Sequence, residues 1–338
     1  MWRLVILVSS MLLVACGATK TAPATIENGV AEVLDDEVIT DDGYRLPLHR
    51  WETDDEPQGI VLALHGFNDY GAGFKPLAQT LTKHGFTVYA YDQRGFGDTS
   101  TAGSWPGQAV LVNDVREVAA LLRAQHEDIP LHLIGKSLGG SLALLAMVEE
   151  ESPDVDGVVL IAPAIWSRET MAWYQRFGLW VGSRLMPGLS LSANLAERIG
   201  IRPTDDPLVL ENLREDPLVQ RTARLDTLDD LTGLMGNALE ASARFRSPAL
   251  MLYGRKDEII PVEPVCVMLR HISKQDDQRL RFVLYPEGFH MLTRYTGASM
   301  THADIAAWLH SPAGELRSGY DMDPAGALQA LCGDAPGE

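Results

Sequence analysis

The stretch Gly135-Lys136-Ser137-Leu138-Gly139 follows the apolar run Leu131-His132-Leu133-Ile134 and opens a helical pattern. Two kinds of chemistry start this way. Gly-Lys-Ser ends the phosphate-binding loop Gly-x-x-x-x-Gly-Lys-Ser/Thr, which cradles phosphate in exposed backbone N–H groups. Here the first glycine of that signature is replaced by Pro130. Residues 131–134 also read as a strand, and a strand ladder consumes the N–H groups a phosphate would need. The alternative is Gly-x-Ser-x-Gly between a buried strand and a helix. Such a turn lifts a serine hydroxyl clear of the sheet and aims a helix N-terminus at it. Ser137 is therefore the candidate nucleophile, and Lys136 is read as a solvated or locally paired charge without a chemical role.

A serine hydroxyl is a weak nucleophile near neutral pH, so it needs a base, and the base needs an orienting partner. When the serine sits on this kind of turn, both partners come from later strand ends, the acid before the histidine. "LMLYGRKDEIIP" places Asp257 in a loop just past an apolar run, with Glu258 as the neighbouring candidate. "FVLYPEGFHML" places His290 in the loop after the last such run, whereas His302 lies in a helical pattern and is the poorer base. Asp257 is expected to fix the imidazole tautomer, and His290 to take and return the Ser137 proton. Charge developing on a carbonyl oxygen calls for two aimed backbone N–H groups. One is that of Leu138, after the nucleophile. The other belongs to a loop after an earlier strand, where "LALHGFND" offers Phe67. His65 and Gly66 are read as shaping that turn, and Asp92 and Arg94 in "YDQRGFGDTS" as structural.

The elements that must position these residues alternate. Strands are expected at 30–38 and 44–51 with a turn at 41–43, then at 59–66, 86–92, 131–135, 155–164, 247–254 and 280–287. Helical spacing fills 74–84, 107–125, 137–150, 262–271 and 299–310. Most of the strand runs are continuously apolar, as in strands buried on both faces. Repeated strand–helix units predict the α/β class, a mostly parallel central sheet with helices on both faces. Residues 165–245 break the rhythm and read as a mainly helical cap inserted between two strands. Within it Trp166, Trp173, Phe177 and Trp180 fall near one face of a helix, if that helix is continuous. They are expected to pack the cap on the core, and part of the stripe, Trp166, Trp173 and Phe177, to line an acyl-binding cleft. The core is expected at 30–164 and 246–312, with a C-terminal tail over 313–338.

The first residues are set apart from the fold. Arg3 precedes twelve mostly apolar residues that end at Ala15-Cys16, too short for a membrane-spanning helix of about 20 residues and suited to a signal peptide over 1–15. Residues 16–29 then read as a tether. Leu13-Val14-Ala15-Cys16 resembles the lipobox of bacterial lipoproteins, which implies cleavage before Cys16 and acylation of its thiol; the other reading is an ordinary secretory signal. By the same resemblance, Gly17 implies a protein of the cell envelope, anchored, if the host is Gram-negative, in the outer membrane and facing the periplasm. Two acyl chains would hold it firmly, each buried methylene contributing about 0.8 kcal/mol. Cys266 and Cys332 remain, either as a disulfide that pins the tail in an oxidising compartment or as two separate buried thiols. The 338 residues carry a formal net charge of −18, which repels phosphate backbones and argues against nucleic acid as a partner. No Cys/His spacing suggests zinc.

The segments "HGFND", "YDQRGFG", "GKSLGG", "YGRKDEIIP" and "EGFHML" together resemble the α/β-hydrolase fold, and within it the monoacylglycerol lipase and lysophospholipase-like serine hydrolases, over about residues 30–312. That resemblance implies a carboxylic ester hydrolase working on acyl-ester lipids through a Ser-His-Asp triad and an acyl-enzyme, without metal or organic cofactor. Departures are Lys136 and Leu138 beside the serine and Phe289 before His290, which bear on cleft width and substrate. The alternatives are a peptidase, thioesterase or acyltransferase built on the same triad, or a non-catalytic lipoprotein that binds lipid.

Overall fold

The computed structural model describes residues 30–148, 150–192, 200–274 and 279–333. The signal peptide and the tether with Cys16 lie outside them. The apolar runs become the parallel centre of a ten-stranded sheet. In chain order the strands are β1 (Glu32–Val33), β2 (Glu37–Ile39), β3 (Arg45–Trp51), β4 (Gly59–Leu64), β5 (Phe86–Tyr91), β6 (Leu131–Lys136), β7 (Gly157–Ile161), β8 (Ser190–Ser192), β9 (Thr222–Arg224), β10 (Ala249–Gly254), β11 (Leu280–Tyr285) and β12 (Asp321–Met322). The large sheet runs β1-β2-β3-β5-β4-β6-β7-β10-β11-β12, and β8 pairs with β9 apart from it. β5, β4, β6, β7, β10 and β11 are parallel, while β1–β3 and β12 add antiparallel edges.

Alternate residues of each central strand serve two cores, the period-two consequence of the pleat. Ile60, Leu62 and Leu64 of β4 face one cluster; Val61 and Ala63 face the other. The helices are α1 (Lys75–Thr82), α2 (Gln108–Gln125), α3 (Leu138–Ala146), α4 (Trp173–Leu185), α5 (Pro207–Glu215), α6 (Leu225–Ala241), α7 (Val262–Ser273), α8 (Ala298–His310) and α9 (Pro324–Cys332). Buried residues of α2, α3, α6, α7 and α9 fill the first cluster, and those of α1 and α8 fill the second.

Three expectations change. The run 30–38 is a hairpin rather than one strand: β1 folds back on β2, with Glu32 opposite Ile39, across a bend at Asp35-Asp36. The segment between β7 and β10 contains α4, α5 and α6 but also the β8–β9 pair, whose residues are mostly exposed and carry no apolar alternation to announce them. The residues past 313 pair β12 with β11 and lay α9 against α7, where a disulfide joins Cys266 to Cys332.

Candidate active site

The loops that follow β4, β6, β10 and β11 meet at the carboxyl ends of the parallel strands, where open α/β sheets place their sites. The turn after β6 is built by close approach. A methyl group on Gly135 would lie 2.3 Å from the carbonyl oxygen of Gly139, and one on Gly139 would lie 2.1 Å from that of Leu64. Only glycine allows strand and helix to meet this tightly. Between them Ser137 adopts φ 52° and ψ −116°, a strained backbone for a residue with a side chain. Its N–H donates to the Ile161 carbonyl and its carbonyl accepts from Gly140 and Ala164, which holds the strain in place.

His290 Nε2 lies 3.0 Å from Ser137 Oγ, and its Nδ1 lies 2.8 Å from Asp257 Oδ2. The other Asp257 oxygen accepts from the N–H groups of Ile259 (2.8 Å) and Ile260 (2.9 Å). That carboxylate is fully buried and the imidazole nearly so. With acceptor-only oxygens facing Nδ1, the proton sits there and Nε2 is free to accept from the serine. Glu258 turns away to accept from the Arg202 N–H. His302 bonds the Thr293 carbonyl through Nε2, far along the chain from the serine.

The loop after β4 abuts the serine turn, since a methyl on Gly66 would lie 3.2 Å from the Ser137 Cβ. Among the described residues, neither the Phe67 N–H nor the Leu138 N–H has an acceptor. His65 shapes this loop: Nδ1 donates to the Gly66 carbonyl (2.8 Å) and Nε2 accepts from the Gln93 N–H (2.9 Å). Burial pushes its pKa down, so it stays neutral. Asp92 accepts from Gly71, Asp98 and His49. Arg94 grips Asp114 through Nε and Asp42 through its terminal nitrogens. Asp92 and Arg94 thus tie loops together away from the serine.

Of the aromatic stripe, Trp173, Phe177 and Trp180 do share one helix, but they do not pack it on the core. Trp166 precedes α4 and packs, half-buried, against the main core. Trp173, Phe177 and Trp180 are 73%, 60% and 52% exposed on α4. The reason is that α4 buries only Gly182, against Leu225 at the start of α6, so its wide apolar face points outward. None of these rings lines either of two cavities beside the site. One, about 460 Å³, lies between Phe67, Phe96 and Trp105 of the core and Gln220–Arg224 of the insertion. The other, about 410 Å³, lies between Tyr70, Arg294 and α5.

Sequence reasoning read Lys136 as solvated or locally paired without finding its partners. Lys136 is buried, not solvated, and its Nζ lies 2.5 Å from Asp69 Oδ2. The Arg294 guanidinium binds the same oxygen. Asp69 and Lys136 both stood inside recognisable segments, but no spacing signals a pair formed across 67 or 225 residues of chain.

The family model described as serine aminopeptidase, S33, matches residues 55–295. Relatives include a monoacylglycerol lipase of Mycolicibacterium smegmatis, 24% identical over 277 residues, covering 80% of this chain and 94% of the relative. The monoglyceride lipase of Homo sapiens is 24% identical, covering 75% of this chain and 82% of the relative. Among solved structures, a soluble variant of the Saccharomyces cerevisiae monoglyceride lipase superposes with a TM-score of 0.69 at 21% identity, covering 87% of this chain and 99% of that one. The Paleococcus ferrophilus monoacylglycerol lipase gives 0.64 at 23%, covering 79% and 98%. With the α/β-hydrolase fold and a family match across most of its length, this chain belongs to the serine aminopeptidase S33 family of hydrolases.

Proposed function

We propose that the protein is a serine carboxylic ester hydrolase acting on monoacylglycerols, lysophospholipids or similar single-chain acyl esters. The observation that carries this reading is the hydrogen-bonded series Asp257–His290–Ser137 beside two N–H groups that have no acceptor among the described residues. His290 Nε2 takes the Ser137 proton as Oγ attacks the ester carbonyl, and the Asp257 carboxylate stabilises the imidazolium. The carbonyl oxygen, now negative, accepts from Phe67 and Leu138. Collapse of the tetrahedral adduct expels the alcohol, which takes the proton from His290. Water, deprotonated by the same imidazole, then attacks the acyl carbonyl, and Ser137 Oγ takes that proton back from His290 as its bond to the acid breaks. The lipase names of the relatives support the choice of acyl esters. In this reading residues 165–245 act as a cap over the serine, and Trp166, Trp173 and Phe177 meet the acyl chain when it enters. Cys16 carries a lipid that holds the enzyme at the cell envelope.

Ser137→Ala should lower p-nitrophenyl ester hydrolysis by at least about 10³-fold and abolish fluorophosphonate labelling, the scale expected when a triad member is lost. Unchanged turnover or labelling would reject the assignment. A second reading, an aminopeptidase, is favoured by the description of the family model; a preference for N-terminal prolyl amides over a graded panel of acyl esters would select it. Palmitate incorporation that survives Cys16→Ala would reject the anchor.

A further inference from the structure

We propose that Lys136, Asp69 and Arg294 form a buried charged clamp that sets the three site-bearing loops in register, with Asp69 and Lys136 as positioning residues for turnover. The inference rests on the hydrolase reading above and concerns residues that touch no reacting atom.

Each member belongs to a different site-bearing segment, Asp69 and Arg294 to the loops after β4 and β11 and Lys136 to the last position of β6. Asp69 lies two residues after Phe67, Lys136 immediately before Ser137, and Arg294 four residues after His290. Both cations converge on one carboxylate oxygen, Asp69 Oδ2, while Asp69 Oδ1 has no partner among the described residues. The side chains of Asp69, Lys136 and Arg294 are only 9%, 7% and 12% exposed. Charges so placed are held by their partners, because a buried ion left unpaired is strongly destabilising. Further bonds lock the outer members. The Arg294 carbonyl accepts from Thr204 Oγ1, and the Asn68 carbonyl, beside Asp69, accepts from the Gln220 N–H. The clamp therefore fixes the separation between the loop bearing Phe67, the turn bearing Ser137 and the loop bearing His290. A shift of the Phe67 loop by a fraction of an ångström would misalign its N–H with the charge that develops in the transition state, where alignment matters most.

The titratable and charged groups facing Lys136 are Asp69 and His65 from the loop after β4 and Arg294 from the loop after β11. Burial pushes the Lys136 ammonium down, Arg294 adds to this and Asp69 opposes it, leaving a pKa of about 8. Burial raises the Asp69 carboxyl, but Arg294 and Lys136 more than offset this and keep it ionised. His65 is neutral and contributes no charge. As pH rises through about 8, Lys136 loses its proton, and Asp69 then holds Arg294 alone.

The test uses the full-length, detergent-solubilised chain and p-nitrophenyl butyrate, with buffer hydrolysis subtracted. Lys136→Met should lower kcat about tenfold with KM within about twofold, because the lost alignment matters only in the transition state. The wild-type kcat should fall as pH rises through about 8, and this alkaline limb should vanish in Lys136→Met. Lys136→Arg, whose charge persists at all accessible pH, should recover most of kcat without the limb. Circular dichroism melting checks that each variant folds. If Lys136→Met does not fold, the wild-type profile decides: kcat flat to pH 10 overturns the clamp. Lys136→Met turning over at the wild-type rate, or retaining the alkaline limb, also overturns it. A wild type that hydrolyses no ester sinks the hydrolase reading and the clamp with it, whereas an active wild type with an unaffected Lys136→Met sinks the clamp alone.

Discussion

At Ser137 the backbone sits where glycine would be at ease, at φ 52°. Strain of this kind costs on the order of 1–3 kcal/mol and persists only where the surroundings impose it. Ser137→Gly should therefore raise the thermal midpoint while removing activity, a comparison that calorimetry and an ester assay make together. Neighbouring glycines have no such latitude: Gly139→Ala should prevent soluble expression, since the new methyl would meet the Leu64 carbonyl oxygen at 2.1 Å. A further prediction concerns His132 on β6, packed beside Phe86 and Trp308 with Nδ1 unpartnered. Burial holds its pKa down at about 4. Between about 6.5 and 4 the unfolded chain binds more protons than the folded one, so stability falls as pH drops through that window. His132→Leu should flatten that slope in melting curves taken from pH 7 to pH 4. At this scale the candidate triad was legible because each member stands at a strand end in a recognisable order. The ion pairs of Lys136 and Arg294 were not, because they join residues whose only relation is spatial.

Among the elements, the central strands were the most legible, since burial on both faces demands the uninterrupted apolar runs seen in "GIVLAL" and "ALMLYG". The β8–β9 pair offered no such signal, being short and exposed. α4 shows a different limit: periodicity reveals that residues share a face but not what covers that face. Because Trp173 and Phe177 project from α4 into solvent, Trp173→Ala and Phe177→Ala should each shift the denaturation free energy by less than about 0.5 kcal/mol. If these rings also meet the acyl chain, KM for long-chain esters should rise while that for acetate esters stays fixed. An equal effect on both would remove them from acyl recognition.

For the whole molecule, no helix among the described residues is long and apolar enough to cross a membrane. Attachment to a lipid surface is proposed to run through Cys16, and Cys16→Ala should then move the protein from the membrane fraction to the soluble fraction after cell breakage. The acidic balance was legible from composition; the way the chain's end completes the sheet was not, because β12 and α9 are short and gain their order from β11 and α7. The bond between Cys266 and Cys332 closes a covalent ring between cysteines separated by 66 positions of chain. β11, the His290 loop and α8 lie inside that ring, while Ser137 and Asp257 lie outside it. Opening such a ring typically releases about 2–4 kcal/mol of constraint. Thiol reductants should therefore shorten the enzyme's half-life on heating by loosening the segment that carries His290, and leave the turn that bears Ser137 standing.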